Sequence, residues 1–389
     1  MFKSSTFLEK ALFYLLNFLT VIFLLRYTIF SSTLKWGTWS YGENLISYPS
    51  KFVRRGLLGE IILFFSGDNP AFNTMQLIVF VNCLVLIIAV YILFKTFNLT
   101  LFQYNVFYLS SFSLLYLIYH GNSFNRKEIF AINFFLIFLY FFKRNNYVLS
   151  FNLKFYLFTS LIFTSLIHEG LLFITLPFYY LILKINYKKI SNTYSIIGVL
   201  LLLFMLTQQG TLLDVEIMWN DLSVFDKNIL ENNLQSSAIY ALAYSYERQI
   251  FSQSGFEMFY KGTLNHWIFI LFYFYLYIFI NHFGGKFKNL NKLEGYFFKK
   301  EMFFCIPLFL FGGADWGRYF LFFIYLYYFY ILFELNRNSV AINQRSSKNS
   351  IYVFLIYSFF TIIPEATYQD INIFEKFKNS YEELLKLIS

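Results

Sequence analysis

The chain has 389 residues, of which 58% are hydrophobic and 24% aromatic, while only 14% are charged. Soluble domains average roughly 25% charged residues, so this composition excludes a water-soluble globule. The net charge of +9 does not indicate nucleic-acid binding, because the basic residues stand at the ends of apolar runs, as topology signals do. The composition predicts an all-α polytopic membrane protein.

The number of apolar runs predicts the number of membrane spans. A spanning helix needs about 20 apolar residues, with a range of about 17–25, and eleven runs come near this length. Runs 153–168 and 170–184 could instead form one re-entrant hairpin. We therefore predict a single membrane domain over 1–389 with about eleven spans: 11–30, 75–95, 102–119, 129–143, 153–168, 170–184, 194–208, 266–283, 301–313, 318–335 and 350–365.

The basic residues between the runs predict the orientation, because Lys and Arg favour the cytoplasmic side. Lys3 and Lys10 precede the first run without a small-residue cleavage site after it, which predicts a retained anchor. With the N-terminus in the cytoplasm, the strongly basic connections after the first helix also fall on that side. They are Lys95, Lys143 with Arg144, 184–189, 286–300 and 337–348.

Three larger pieces fall on the opposite, outer face. Segment 31–74 contains an apolar stretch at 53–65 that is too short to span and reads as an interfacial helix. Loop 209–265 carries seven acidic and three basic residues, a formal charge of −4. Segment 366–389 has helical spacing of apolar positions and is predicted to be an amphipathic tail.

The first outer segment also carries a pair of adjacent arginines in the stretch SYPSKFVRRGLLGE at 47–60. Arg54 and Arg55 are costly beside hydrocarbon unless an anion or water meets them. Their planar guanidinium groups suit phosphate, and Gly56 would let the backbone approach a ligand closely. The alternative is that the arginines snorkel to the lipid headgroups, for which Arg54 is the better candidate.

Two further outer turns carry charged residues at the ends of apolar runs. Arg126 and Lys127 are candidate phosphate ligands, unless they pair locally with Glu128. His168 and Glu169 are candidate proton-transfer partners, with a helix cap as the alternative. Burial would raise the pKa of Glu169, whereas a nearby arginine would lower it.

A fourth outer turn, GGADWGR at 312–318, completes the candidate site. Asp315 would serve as a base, Trp316 as a stacking surface for a sugar ring, and Arg318 as an anion ligand. The alternative is a capping pair between Asp315 and Arg318. No HExxH motif or cysteine spacing suggests a metal site, and no cofactor is expected. The four turns are expected to converge at the outer opening of the bundle.

These features together resemble the O-antigen and capsular polysaccharide polymerases, the Wzy-like membrane proteins. The likeness covers the many helices, the single large outer loop, the outer arginines and the abundance of Phe and Tyr. It implies polymerisation of polyprenyl-diphosphate-linked oligosaccharide units on the outer face of the bacterial inner membrane, with the lipid diphosphate as leaving group. Arg55, Arg126 and Arg318 resemble arginines that engage the diphosphate, and His168 resembles the outer histidine of O-antigen ligases.

The resemblance also implies partners: the lipid-linked glycan, the lipid bilayer, and flippase and chain-length regulator proteins, with no nucleic acid. One alternative is a GT-C glycosyltransferase with a polyprenyl-phosphate sugar donor, for which Glu43, Glu60 or Asp68 offers the acidic residue, although the first outer segment has no DxD or ExD pair. Another is a lipid-linked-sugar transporter or flippase. A transporter predicts polar residues at helix centres, where Asn82 and Asn133 are the main examples.

Overall fold

The computed structural model describes residues 6–30, 38–48, 51–108, 110, 126–243, 274–276, 278, 299–305 and 316–338. All regular secondary structure in these ranges is helical, and the described ranges contain no strand. The prediction of an all-α protein is therefore confirmed for the described part. The predicted span 350–365, the tail 366–389, and most of span 266–283 lie outside the described residues.

Twelve α-helices are numbered here in chain order within the described ranges. Short 3₁₀ helices at Leu234–Ser236, Tyr240–Ala243 and Lys300–Cys305 accompany them. The α-helices are α1 Phe7–Phe30, α2 Thr38–Asn44, α3 Leu57–Ser66, α4 Ala71–Thr96, α5 Leu101–Tyr108, α6 Glu128–Arg144, α7 Phe151–Ile167, α8 Leu171–Lys184, α9 Lys188–Thr207, α10 Leu212–Asp221, α11 Val224–Ile229 and α12 Trp316–Arg337.

Two of the described helices, α4 and α9, are long and apolar enough to cross a membrane. Helices α3, α7 and α8 are apolar but shorter. Both α4 and α9 leave large apolar side chains exposed, among them Leu77 and Ile88 on α4 and Leu200 and Leu203 on α9. Two candidate spans do not establish the predicted count of eleven, which stays a prediction.

Helix α6 lies at the centre of the packing, in contact with α4, α7, α8 and α12. Helix α12 is the most enclosed, because every described side chain from Tyr319 to Leu335 is buried. Aromatic rings fill much of this core, as where Phe107 of α5 stacks on Tyr328 with ring centroids 4.6 Å apart. Such ring pairs add to the burial of apolar area.

The helix ends divide into two groups. At one end, Arg337 donates to the Ile182 carbonyl at 3.2 Å, and Lys184 pairs with Glu301 at 2.6 Å. Tyr147, which follows α6, donates to Asn336 of α12 at 3.2 Å, so the basic ends of α6, α8 and α12 lie near one another. The turns before α3, before α6 and between α7 and α8 meet elsewhere, where the candidate site forms.

Candidate functional site

Three of the four predicted turns come together around a buried ionic cluster. Arg54 and Arg55 precede α3, Arg126 and Lys127 precede α6, and His168 with Glu169 separates α7 from α8. Glu43 enters from α2. Apart from Arg55, these residues are all buried. Buried charges are stable only when they are paired, so the turns are held together by the charges that they carry.

Arg55 and Glu169 form the tightest contact of the cluster. The Arg55 Nε lies 3.1 Å from both Glu169 carboxylate oxygens, and an Arg55 NH2 group donates to Oε1 at 2.9 Å. This is the forked geometry that a guanidinium makes with a carboxylate or a phosphate. Arg55 has a left-handed backbone with φ of 67°, which is uncommon for a residue other than glycine.

Arg54 does not snorkel to a membrane surface. Its side chain is buried, and NH1 donates to Glu169 Oε1 at 3.2 Å. Its backbone amide donates to the Gln208 carbonyl at 3.0 Å, so both backbone and side chain hold Arg54 inside. The sequence interpretation of Arg54 as the snorkelling residue is wrong, because an internal carboxylate meets its charge.

The sequence interpretation of Gly56 was that its backbone approaches a ligand. The structure shows a different role for this glycine. Its φ of −80° is ordinary for any residue. A Cβ atom at this position would lie 2.2 Å from the ring of Tyr48. The close approach that requires glycine is therefore to Tyr48, and the unusual backbone conformation belongs to the preceding residue, Arg55.

Glu43 is the hub of the cluster, since it contacts all three turns. Its carboxylate lies 3.3 Å from Arg126 NH1, 3.5 Å from His168 Nε2 and 3.8 Å from Arg55 NH1. The sequence suggested Glu43 only as one of three acids in the first outer segment. A signal was present, because Glu43 stands within the short polar and aromatic stretch TWSYGEN, which folds as α2.

His168 is arranged as a hydrogen-bond donor toward Glu43. The Gly170 amide donates to His168 Nδ1 at 3.1 Å, so Nδ1 acts as the acceptor and a neutral ring carries its proton on Nε2. That Nε2 faces Glu43 and lies 3.4 Å from the Tyr319 hydroxyl. Nε2 is therefore the ring nitrogen that faces Glu43, and the role of His168 in proton transfer stays a prediction.

The pKa values of Glu169 and Lys127 are both lowered, but for different physical reasons. Burial alone would raise the pKa of Glu169, but the charges of Arg55 and Arg54 outweigh it and hold that pKa well below its usual range. Burial lowers the pKa of Lys127 to about 8, with Glu43 opposing and Arg55 adding to the effect. Glu169 is thus a permanent anion near neutral pH and a poor proton acceptor.

The fourth turn is described only in part. Asp315 lies outside the described residues, whereas Trp316 and Arg318 belong to the first turn of α12. Tyr319, the next residue, brings that helix start to His168. The roles assigned to Asp315, Trp316 and Arg318 stay predictions. Tyr319 was not singled out from the sequence, although its position directly after Arg318 was a usable signal.

The start of the large outer loop packs against the first outer segment. The carboxylate of Asp226, in α11, accepts hydrogen bonds from the hydroxyl groups of Tyr41 and Ser223, the latter at 2.6 Å. It also accepts hydrogen bonds from the backbone amides of Ala71 and Phe72 at 3.0 and 3.1 Å. A carboxylate at a helix N-terminus satisfies free amides and suits the helix dipole. Asp226 thereby joins the loop to α2 and α4 beside the cluster.

Among the described residues, no group of three or more His, Cys, Asp or Glu side chains is placed to hold a metal ion. Comparison with known proteins adds no relative: no protein-family model, curated protein or solved structure matches the chain. The chemistry of the site must therefore be argued from its own residues.

Proposed function

We propose that this protein is a membrane glycosyltransferase that polymerises polyprenyl-diphosphate-linked oligosaccharide units. The observation that carries the proposal is the convergence of Arg54, Arg55, Arg126 and Lys127 in one buried cluster. These four cations come from two turns and outnumber Glu43 and Glu169, the glutamates that contact them. The cluster therefore suits a multiply charged anion, and guanidinium groups favour phosphate. A lipid-linked diphosphate supplies that anion at a membrane surface.

In the proposed reaction, the arginines bind the diphosphate and stabilise the charge that develops as it leaves. The bond between the sugar C1 and the phosphate oxygen breaks, and its electron pair stays on the diphosphate. An acceptor hydroxyl oxygen bonds to C1 and passes its proton to a carboxylate. The candidate carboxylates are Glu43, Glu169 and Asp315; arginines contact both Glu43 and Glu169, and those that hold Glu169 lower its pKa.

The proposal places the chain in the bacterial inner membrane with about eleven spans and a cytoplasmic N-terminus. It is supported by the two apolar helices that are long enough to cross a membrane. It is also supported by the separation between the basic ends around Lys184 and Arg337 and the buried cluster. The basic ends would face the cytoplasm, and the cluster would face outward.

A second candidate is a GT-C glycosyltransferase with a polyprenyl-monophosphate sugar donor. The observation that favours it is the position of Glu43, an acidic residue of the first outer segment that contacts Arg55, Arg126 and His168. The other two acids of that segment, Glu60 and Asp68, are exposed. Such an enzyme would add one sugar to an acceptor rather than join repeat units.

The test is deletion of the gene in its host, followed by gel analysis of the surface glycan. If the protein is a polymerase, the deletion strain should carry glycan of single repeat units. If it is a single-sugar transferase, the deletion strain should show a ladder whose repeat unit has an altered size. An unchanged ladder contradicts both. Reintroduced Arg55→Ala should fail to restore the glycan, whereas Arg144→Ala, which removes an exposed arginine from the other end of α6, should restore it.

A further inference from the structure

Lys127 differs from the other cations of the cluster in what it contacts. Its side chain is 1% exposed, and Nζ donates to the Arg55 carbonyl oxygen at 3.0 Å. No carboxylate of the described residues lies within 4.0 Å of Nζ. Arg54, Arg55 and Arg126 each lie within that distance of a glutamate.

Within the described part of the chain, this arrangement leaves donors of the Lys127 ammonium group unused. An ammonium group has three donors, and the Arg55 carbonyl accepts one of them. A buried cation is costly when no carboxylate of the described residues lies within 4.0 Å to pair with it. The burial of this charge lowers the stability of the folded protein. A charged lysine at this position therefore points to ligand binding and not to a stabilising role.

The surroundings of Lys127 show from which side a ligand would approach. Arg55 provides the carbonyl that holds Nζ, while its guanidinium is 24% exposed, the most accessible among the cations of the cluster. Lys127 interacts electrostatically with Arg55, so an anion that reaches Arg55 from outside would also be attracted by the charge of Lys127. Four charged groups act on Lys127 electrostatically: Glu43, Arg55, Glu169 and Glu128.

We propose that Lys127 and Arg55 form a phosphate-binding subsite in which phosphate oxygens accept the remaining Nζ hydrogens of Lys127. The identification of that phosphate as the lipid-linked group of a sugar donor rests on the proposed function. The binding of a phosphate does not depend on glycosyl transfer. A phosphate bound there supplies the counter-ion for the Lys127 ammonium group.

The subsite can be tested on the purified full-length protein in detergent by thermal unfolding and direct binding. The probes are farnesyl diphosphate, farnesol as its neutral counterpart, and inorganic pyrophosphate to separate the anion from the lipid tail. The variants are Lys127→Met, Lys127→Arg and, as a matched control, Lys95→Met, which changes an exposed lysine at the end of α4.

Lys127→Met should raise Tm without ligand, because it removes a buried charge, and should weaken binding of farnesyl diphosphate by about tenfold or more, the equivalent of one hydrogen bond to a charged group. Lys127→Arg should keep most of the binding. Lys95→Met should change neither property. Farnesol should raise Tm less than farnesyl diphosphate in the wild type, and pyrophosphate should raise it also.

The pH dependence provides a readout that a structural role for Lys127 would not produce. Since the pKa of Lys127 is lowered to about 8, the wild type should bind pyrophosphate below that pH and lose affinity as pH rises through it. Lys127→Arg, which stays charged, should bind without this loss.

Wild-type binding by Lys127→Met, or the same pH profile for Lys127→Arg and the wild type, would overturn the subsite. The second comparison stays decisive if Lys127→Met fails to fold. If the subsite results hold while the host deletion leaves the glycan unchanged, the proposed function fails and the phosphate subsite stands.

Discussion

Arg55 and Glu169 are 114 residues apart in sequence, yet Arg55 holds Glu169 through both Nε and an NH2 group at 2.9–3.1 Å. The pair connects the turn before α3 to the turn between α7 and α8. Arg54 adds a further hydrogen bond to the same carboxylate at 3.2 Å. One glutamate therefore contacts two adjacent arginines and fixes the relation of two turns.

Replacement of Glu169 by Gln should destabilise the protein strongly. The change leaves Arg54 and Arg55 facing a neutral amide, and the loss of one partner from a buried ion pair costs about 3–5 kcal/mol. The measurement is the midpoint of thermal or denaturant unfolding at neutral pH. Glu216→Gln, at an exposed position of α10, is the control and should change stability by less than about 0.5 kcal/mol.

The stability contributed by Glu169 should depend on pH with a definite sign. Its folded-state pKa is held below the ordinary value, so its contribution is fully present above about pH 5, where the unfolded carboxyl is also ionised. The contribution decreases as pH falls through the folded pKa. The stability difference between wild type and Glu169→Gln should therefore shrink in acid, and a difference that grows there contradicts the ion pair.

Replacement of Arg55 by Lys should impair function while it keeps the charge. An ammonium cannot reproduce the fork of a guanidinium, and each hydrogen bond to a charged group contributes about 1.5–3 kcal/mol. We expect binding of farnesyl diphosphate to weaken by about tenfold or more. Equal binding by Arg55→Lys would show that only charge is needed at this position. Arg144→Lys is the control, at an exposed site.

Replacement of Asp226 by Ala should loosen the outer loop from the first outer segment. The Ala71 and Phe72 amides at the start of α4 and the Tyr41 hydroxyl lose their shared acceptor. Loss of a helix cap costs about 0.5–2 kcal/mol, and the buried donors add to that cost. Limited proteolysis and hydrogen exchange should show faster opening of 211–243. Asp221→Ala, at an exposed position, should change neither the rate of proteolysis nor the rate of hydrogen exchange.

Replacement of Gly56 by Ala should be destabilising because of Tyr48. The added Cβ would lie 2.2 Å from the Tyr48 ring, so the ring or the turn must move, at a cost of about 1–3 kcal/mol for overpacking. The same change in a Tyr48→Ala background should cost less, because the ring is absent. A double-mutant cycle on unfolding measures this difference, and strictly additive effects would contradict the contact.

Several features of the candidate site were predictable from the sequence because each depends on local chemistry. Arg54 with Arg55, Arg126 with Lys127, and the His168-Glu169 turn stand at the ends of apolar runs, and the length of such runs indicates a helix on either side. Charged residues at helix ends within an apolar chain indicate a functional site, because their desolvation is costly. Their residue types alone suggested an anion site.

The partners of these residues depended on contacts between distant parts of the chain. Arg54 differs from Arg55 in burial although the two are adjacent, because the backbone turns between them. Glu43 could not be preferred over Glu60 or Asp68 until α2 was seen beside Arg126 and His168. The competing effects on the pKa of Glu169 could not be weighed before the distance to Arg55 was known.

The sequence by itself determined that this chain forms helices and that its charged turns carry phosphate-binding residue types, because hydropathy and residue chemistry are properties of local segments. The tertiary structure decided which carboxylate contacts which arginine, and among the described residues it gave Lys127 a carbonyl oxygen as its hydrogen-bond acceptor. Coulomb energy and desolvation vary steeply with distance and burial, and both are set by the packing of segments that are far apart in sequence.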